Sequence, residues 1–412
     1  MDNLAIAQSI KRVWFGKEHL VMVSRSSALP RLSEQEATDV LEARGPSWGR
    51  VLHRLEPARF PSRAAISHIP ASRTQTSPRL TRETRTFDVP ALSLREYAGV
   101  RCQPGQVAVS GHLILPDSYR KIFKARPRNK NLEDIATRFA VPKRPRRRVR
   151  ELEGAFFYLD SEWRGHFGHA MSEQVSRLWG WPLAKEAEPG LKALMSVNRK
   201  WGGLHEFERL LYGAAGIAEE DIVLIDGPVR VERLLAATPM FAQPEYVHPD
   251  IAQTWTSISR ALAAQAPVRD YPRRIFCARR GVHRACRNAE EVEALFARFG
   301  FEIVFPERFS LPEQAMMFRS AEVVAGYSGS GVFNLCLTES AKRVVLVSSD
   351  GYSAKNEFLI ASVLGHRMDV VWCNADLPMP EVAFVKSAYE SAFSMDFERE
   401  GRELEALLAS LD

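Results

Sequence analysis

The chain reads as an α/β protein built on doubly wound parallel sheets, and three observations predict it. Strand-sized apolar runs alternate with helix-sized amphipathic stretches over residues 273–374. The apolar runs are short and Val/Ile-rich, as in IVLIDG (222–227), AEVVAG (321–326) and RVVLVSS (343–349), the pattern of strands covered on both faces. Each is closed by a turn bearing Gly, Asp or Ser, where a parallel strand hands over to its crossover helix.

Taken in order, residues 1–90 show helical fragments such as LSEQEATDVLEA and a polar stretch from Ser62 to Arg85, with no readable chemistry. VAVSGHLILPDS predicts strand and turn, and GAFFYLD (154–160) a further strand. FGHAMSEQVSRLWGW has helical spacing, with Phe167, Met171, Val175 and Leu178 on one side. PEYVHPD (244–250) marks a junction, followed by the helical stretch IAQTWTSISRALAAQ. Beyond it come the strand RRIFCAR (273–279) and the helix NAEEVEALFARFG (288–300), with Asn288 as N-cap, Glu291 as its box partner and Gly300 as stop. FEIVFP (301–306), LPEQAMMFRSA (311–321), the run AEVVAG, a helix from VFNLCLTES, RVVLVSS, AKNEFLIASVLG (354–365) and MDVVWCN (368–374) continue the alternation.

The length of 412 residues exceeds one ordinary core and predicts two domains. No apolar stretch approaches the roughly 20 residues of a membrane span, and the first residues lack the pattern of a signal peptide. The five cysteines are widely spaced and form no CxxC pair, so reduced thiols and a cytoplasmic setting are expected. The net charge of +6 is unevenly placed: VPKRPRRRVR (141–150) holds six basic residues and no acid, with RKIFKARPRNK just upstream. This block is either a solvated linker or a contact for anionic lipid or an acidic polymer. Without interleaved aromatic residues it does not predict nucleic-acid binding.

Four stretches carry candidate chemistry. GYSGSGVFN (326–334) lies between a strand and a helix, where Gly329 and Gly331 permit close backbone approach and Ser328 and Ser330 add hydroxyls. A phosphate cradle and a tight turn both fit it. CARRGVHRACRN (277–288) would place Arg279 and Arg284, with Arg280, His283 and Arg287, at another strand end, suited to a diphosphate or simply solvated. In DSEWRGHFGHAMSE (160–173), His166 and His169 are three apart and Glu173 lies four beyond His169. That spacing fits a general base with Glu173 or Asp160 orienting the imidazole, a core histidine with a carboxylate partner, or a metal pair lacking the glutamate of HExxH. GYSAKNEF (351–358) sets Tyr352, Asn356 and Glu357 at a fourth turn, for a ribose or sugar hydroxyl or for the helix dipole.

The order and spacing of Arg279, Arg284, NAEE, GFEIVFPE, the segment LPEQ and the loop Gly326 to Asn334 resemble the family-61 glycosyltransferases. That family includes plant pentosyltransferases, animal N-acetylglucosaminyltransferases and bacterial proteins of capsule or surface polysaccharide synthesis. Its "G.HGAGL.N" loop corresponds to residues 326–334, with Ser328 in place of the family histidine and Ser330 in place of alanine, while Asn334 matches. Its upstream "GH" helix corresponds to GHFGHAMSEQ and aligns His169. The likeness covers about 154–365 and is strongest over 273–358.

The resemblance implies a GT-B architecture, two Rossmann-like domains facing a cleft, and an inverting transfer from a nucleotide sugar, a uridine-type donor being expected. It divides the chain into an N-terminal segment (1–90), an acceptor-side domain (91–248) and a donor-binding domain (249–412). Arg279, Arg284, Ser328, Gly329, Ser330, Gly331, Asn334, Tyr352, Asn356 and Glu357 would bind the donor; His169, with His166, Asp160 and Glu173, would act on a glycan or lipid-linked acceptor. With no DxD motif, no obligatory metal is expected. Peripheral contact of 141–150 with the inner face of the membrane is a further expectation. A non-catalytic component of a polysaccharide assembly complex and a metal-dependent hydrolase are the alternatives.

Overall fold

A computed structural model describes residues 12–15, 19–22, 28–71, 80, 83–122, 124, 126–143, 148–198, 200, 202–380 and 383–411. Two large sheets organise the chain, each with a parallel centre. The first has the order Leu113–Ile114, Val107–Ser110, Leu92–Gln103, Val229–Ala237, Arg150–Tyr158, Lys192–Ser196 and Ile222–Ile225. Its last four strands are parallel. The long strand Leu92–Gln103 runs antiparallel to Val229–Ala237 and also pairs with Gly49–Leu55.

The second sheet has the order Glu302–Val304, Arg274–Cys277, Val323–Tyr327, Arg343–Ser349 and Arg367–Ala375, all parallel. Its far edge is completed in parallel by Ala65–Ile69, a strand from the N-terminal stretch whose sequence offered no reading. Strand order therefore reverses between Arg274–Cys277 and Val323–Tyr327. The crevice at such a reversal, beyond the carboxyl ends of the strands, is where doubly wound sheets take ligands.

Alternation along the strands explains the layers. Phe157, Met195 and Leu235 of the first sheet and Val324, Val344 and Leu346 of the second belong to one hydrophobic cluster, which includes the helices between the sheets. Phe276, Ala325 and Val345 point the other way, onto Val292, Phe296, Leu404 and Leu408 of the outer helices Ala289–Arg298 and Arg402–Ala409. Tyr97, Phe156 and Leu194 do the same behind the first sheet. The two sheets thus share a continuous helical core.

Three local expectations are corrected. Asn288 does not cap its helix: its Nδ2 donates to the Met395 carbonyl (2.9 Å) and its Oδ1 accepts from the Met395 N–H (3.1 Å). A buried backbone pair outcompetes the exposed cap. The stretch after Gly329 is a tight helix, Ser330–Leu337, beginning earlier and wound more narrowly than expected. The helical run after His166 is irregular, with a wide turn over Ala170–Gln174 and a tight one over Val175–Arg177 before the helix Gly180–Ala187. Met171, Val175 and Leu178 are nonetheless buried, as their spacing predicted.

Of the basic run 141–150, residues 144–147 lie outside the described residues; Arg150 opens a strand of the first sheet. All five cysteines are free thiols. Among the described residues no helix is long and apolar enough to cross a membrane.

Candidate functional site

The strand reversal of the second sheet places the two loops predicted for phosphate side by side. Arg279 follows one strand, and its Nη1 donates to the carbonyl of Ser328 (3.0 Å), which follows the other. Its Nη2 donates to the Arg284 carbonyl at 2.5 Å, folding the intervening loop back. Arg284 has φ +52°, a left-handed backbone uncommon for a side-chain-bearing residue. It stacks over the rings of Tyr352 (5.2 Å) and Tyr389 (5.0 Å).

Both guanidinium groups converge on Gly329. A Cβ there would lie 3.2 Å from Arg279 Nη1 and 3.3 Å from Arg284 Nη2, and the residue has φ +134°. The positive φ favours glycine here, and a side chain would also press on both guanidinium groups. Neither arginine has a carboxylate within ion-pair distance among the described residues, and the Nε of each is buried without a partner. Burial first, and then the charge of Arg284, lowers the pKa of Arg279 to about 10. Two crowded cations at a strand reversal, neither with a carboxylate partner among the described residues, are suited to an oxyanion.

The remaining basic residues of that loop do not join them. Arg280 forms a two-pronged bond with Glu293 (2.6 and 2.7 Å), Arg287 pairs with Asp376, and His283 lies exposed 3.9 Å from Glu390. The glycine loop also differs from its expected reading. Gly326 serves packing: a Cβ would lie 2.7 Å from the Cys277 carbonyl oxygen on the neighbouring strand. The Gly329 N–H is already bonded, to Glu357 Oε1 at 2.6 Å. Only the opening of the tight helix, at Ser330 and Gly331, keeps the N–H groups that a first turn leaves unsatisfied.

Glu357 also accepts from the Tyr352 hydroxyl (3.1 Å), so these two residues brace the loop from beneath instead of facing outward. Burial raises the Glu357 pKa to about 7. Asn356 is half-buried in the first turn of its helix. Asn334 is fully buried, and its Nδ2 donates to Gln314 Oε1 (2.7 Å). It locks the tight helix to the helix Leu311–Ser320, away from the arginines.

The histidine segment reaches this site from the first sheet. Gly168 abuts the turn so closely that a Cβ would lie 2.9 Å from Ser330 Cβ. His169 Nδ1 lies 2.8 Å from Glu173 Oε1. Arg120 pairs with the same carboxylate at 3.3 Å and stands 3.4 Å from Nδ1. The shorter carboxylate contact makes Nδ1 the protonated nitrogen, which leaves the Nε2 lone pair free. Trp163, 45% exposed, stacks on the His169 ring at 5.4 Å and 13°. His166 packs edge-on at 4.7 Å. Burial, then His169, and also Arg284 push the His166 pKa down, which places His166 within the electrostatic reach of the arginine site.

Asp160 does not take part in this pairing. Its carboxylate accepts from the N–H groups of Gly105 (3.1 Å), Gln106 (2.8 Å) and Ser196 (2.8 Å) and from the Ser196 hydroxyl (2.5 Å). Fully buried, it ties strand ends together and has no capacity left to orient His169. Sequence reasoning missed Arg120, Trp163 and Tyr389. Arg120 was legible only as the first residue of a basic run, and nothing local linked Tyr389 to Arg284. Among the described residues no group of three or more His, Cys, Asp or Glu is placed to hold a metal ion.

The structure thus sets an arginine pair at a strand reversal near a histidine–glutamate pair, an arrangement chemically capable of group transfer. Residues 167–345 match the model of the family described as Glycosyltransferase 61. The matched stretch includes His169, Glu173, Arg279, Arg284 and the loop from Gly326 to Asn334. No curated protein matches the chain.

Proposed function

We propose that the protein is an inverting glycosyltransferase that moves a sugar from a nucleoside-diphosphate donor, of uridine type, to a hydroxyl of a glycan or lipid-linked acceptor. The observation that carries this reading is the contact of Gly168 with Ser330, which sets a base-type histidine pair against an oxyanion receptor. His169 Nε2 takes the proton of the acceptor hydroxyl while Glu173 holds the imidazole and stabilises the imidazolium. The acceptor oxygen bonds to the anomeric carbon as the bond to the diphosphate oxygen breaks. The electron pair leaves on the diphosphate, whose growing charge is met by Arg279, Arg284 and the N–H groups at Ser330 and Gly331.

In this reading the two sheets act as donor and acceptor lobes of a GT-B arrangement, with the strand reversal on the donor side. Charge on the diphosphate is handled by arginine, and a surface or capsular polysaccharide made in the cytoplasm is the product class. A basic contact of 141–150 with the membrane would bring a lipid-linked acceptor within reach.

A thermal-shift panel of UDP-, GDP-, CMP- and dTDP-sugars tests the reading. The matching nucleotide at a hundredfold excess over Kd should stabilise by about 2.7 kcal/mol, and Arg284→Ala should abolish the response. A flat response to every nucleotide overturns it.

A further inference from the structure

A second cavity, of about 450 Å³, lies in the first lobe, apart from the arginine receptor. Its walls come from the start of the helix Glu34–Arg44, the residues leading into the strand Leu92–Gln103, and Pro116, Tyr119, Ile122, Lys124 and Pro127. Thr238, just past the carboxyl end of Val229–Ala237, closes one side. The volume falls in the range of small-ligand sites.

Three buried polar atoms of its lining residues, Glu34 Oε1, Arg31 Nε and the Tyr119 hydroxyl, have no hydrogen-bond partner among the described residues. Glu34 Oε2 accepts from Thr238 Oγ1 (2.7 Å) and from Arg95, while Oε1 has no partner. Arg31 is 3% exposed; its Nη1 donates to the Thr137 carbonyl (3.0 Å) and its Nη2 to Asp134, while its Nε–H is unmatched. Leaving such buried groups unsatisfied is costly. Ligand hydroxyls, which donate and accept, are complementary in kind to such groups. Pro90, Pro116, Tyr119 and Ile122 add apolar surface suited to the C–H face of a pyranose ring.

The rim is cationic. Arg54, Lys124 and Arg138 line the cavity; Arg54 and Arg138 are ion-paired with Glu56 and Glu36, while Lys124 has no ion pair among the described residues. Position ties this cavity to the reaction: Tyr119 is in its wall, and the next residue, Arg120, holds Glu173 beside His169. Adjacent residues are about 3.8 Å apart at Cα, so one segment serves both places.

We propose that this cavity binds an acidic sugar residue, a uronate-type unit of the acceptor glycan. The word acceptor rests on the function proposed above; the binding itself does not. The test uses the full chain without nucleotide, with methyl β-D-glucuronoside and methyl β-D-glucoside titrated by calorimetry and saturation-transfer NMR. The glucuronoside should bind at least about threefold tighter than the glucoside, the scale of one exposed charge contact. Gln35→Trp, an exposed wall position, should abolish binding by filling the space. Lys124→Glu, on the exposed rim, should weaken it about threefold or more with the fold unchanged by circular dichroism. Absence of binding, equal affinity for the two glycosides, or loss on Arg284→Ala instead of Lys124→Glu overturns the proposal. A flat nucleotide panel would sink the donor assignment and leave this titration untouched.

Discussion

Gly168 and Ser330 are so close that one added methyl group on the glycine would stand 2.9 Å from the serine Cβ. This contact joins the segment bearing His166 and His169 to the turn beside Arg279 and Arg284. Gly168→Ala must force the two apart by several tenths of an ångström, at a cost of about 1–3 kcal/mol for overpacking. Turnover should fall by as much as about 10²-fold, since small displacements of reacting groups are costly. Adding Ser330→Gly should restore much of both. Melting curves and single-turnover rates of the two variants check this, and no rescue by the second change would contradict it.

His169→Ala should reduce turnover at least about 10²-fold, the lower bound for loss of a general base. Glu173→Gln should lower kcat with little change in donor KM, because it keeps an acceptor for the Nδ1 proton but removes the charge that stabilises the imidazolium. A pH–rate profile of Glu173→Gln whose acid limb coincides with that of the parent would show that the carboxylate does not act through the histidine.

Loss of either arginine should be felt in the transition state. Arg284→Ala should cost about 10²–10³-fold in kcat, the usual effect of removing one oxyanion donor. Arg279→Lys should also be impaired, because a lysine offers one nitrogen in place of the rigid fork whose Nη1 and Nη2 reach the Ser328 and Arg284 carbonyls. Steady-state kinetics with varied donor separate these effects from donor affinity.

Glu357 gives a signed pH dependence. Its folded pKa of about 7 lies above the ordinary 4.5, so the folded state holds a proton that the unfolded chain releases between those values. Its contribution to stability is complete below about pH 4.5 and is lost as pH rises through about 7. Glu357→Gln keeps an acceptor for the Gly329 N–H and should flatten the decline in melting temperature between pH 5 and about 7. The same variant should also weaken the pH dependence of nucleotide binding, since the carboxylate charge sits behind the anion loop. Melting curves from pH 5 to about 8 decide the first point, and an unaltered slope refutes it.

Asn334→Ala should act on the fold. The change leaves Gln314 Oε1 buried without its donor, a cost of about 1–3 kcal/mol. Donor KM of the surviving folded protein should stay within about twofold, since the side chain is fully buried and bonded away from the arginines. Chemical denaturation paired with donor titration reads the two effects separately.

The sequence by itself determined the strands and helices of the second sheet from Arg274 to Ala375, because period-2 and period-3.6 burial patterns are local properties of the chain. It also located the two loops at the strand reversal and set His169 and Glu173 four apart on one helical run, close enough to meet. What it could not determine were choices made between distant residues. Asp160 was a plausible partner for His169 until Gly105, Gln106 and Ser196 claimed its oxygens. Arg280 and Arg287 had the same local context as Arg279 and Arg284, and only the positions of Glu293 and Asp376 separated them. Ala65–Ile69 could be read only once Arg367–Ala375 offered it an edge. A hydrogen-bonding group goes to whichever partner the fold brings near it, and competition among partners far apart in sequence is settled by tertiary structure alone.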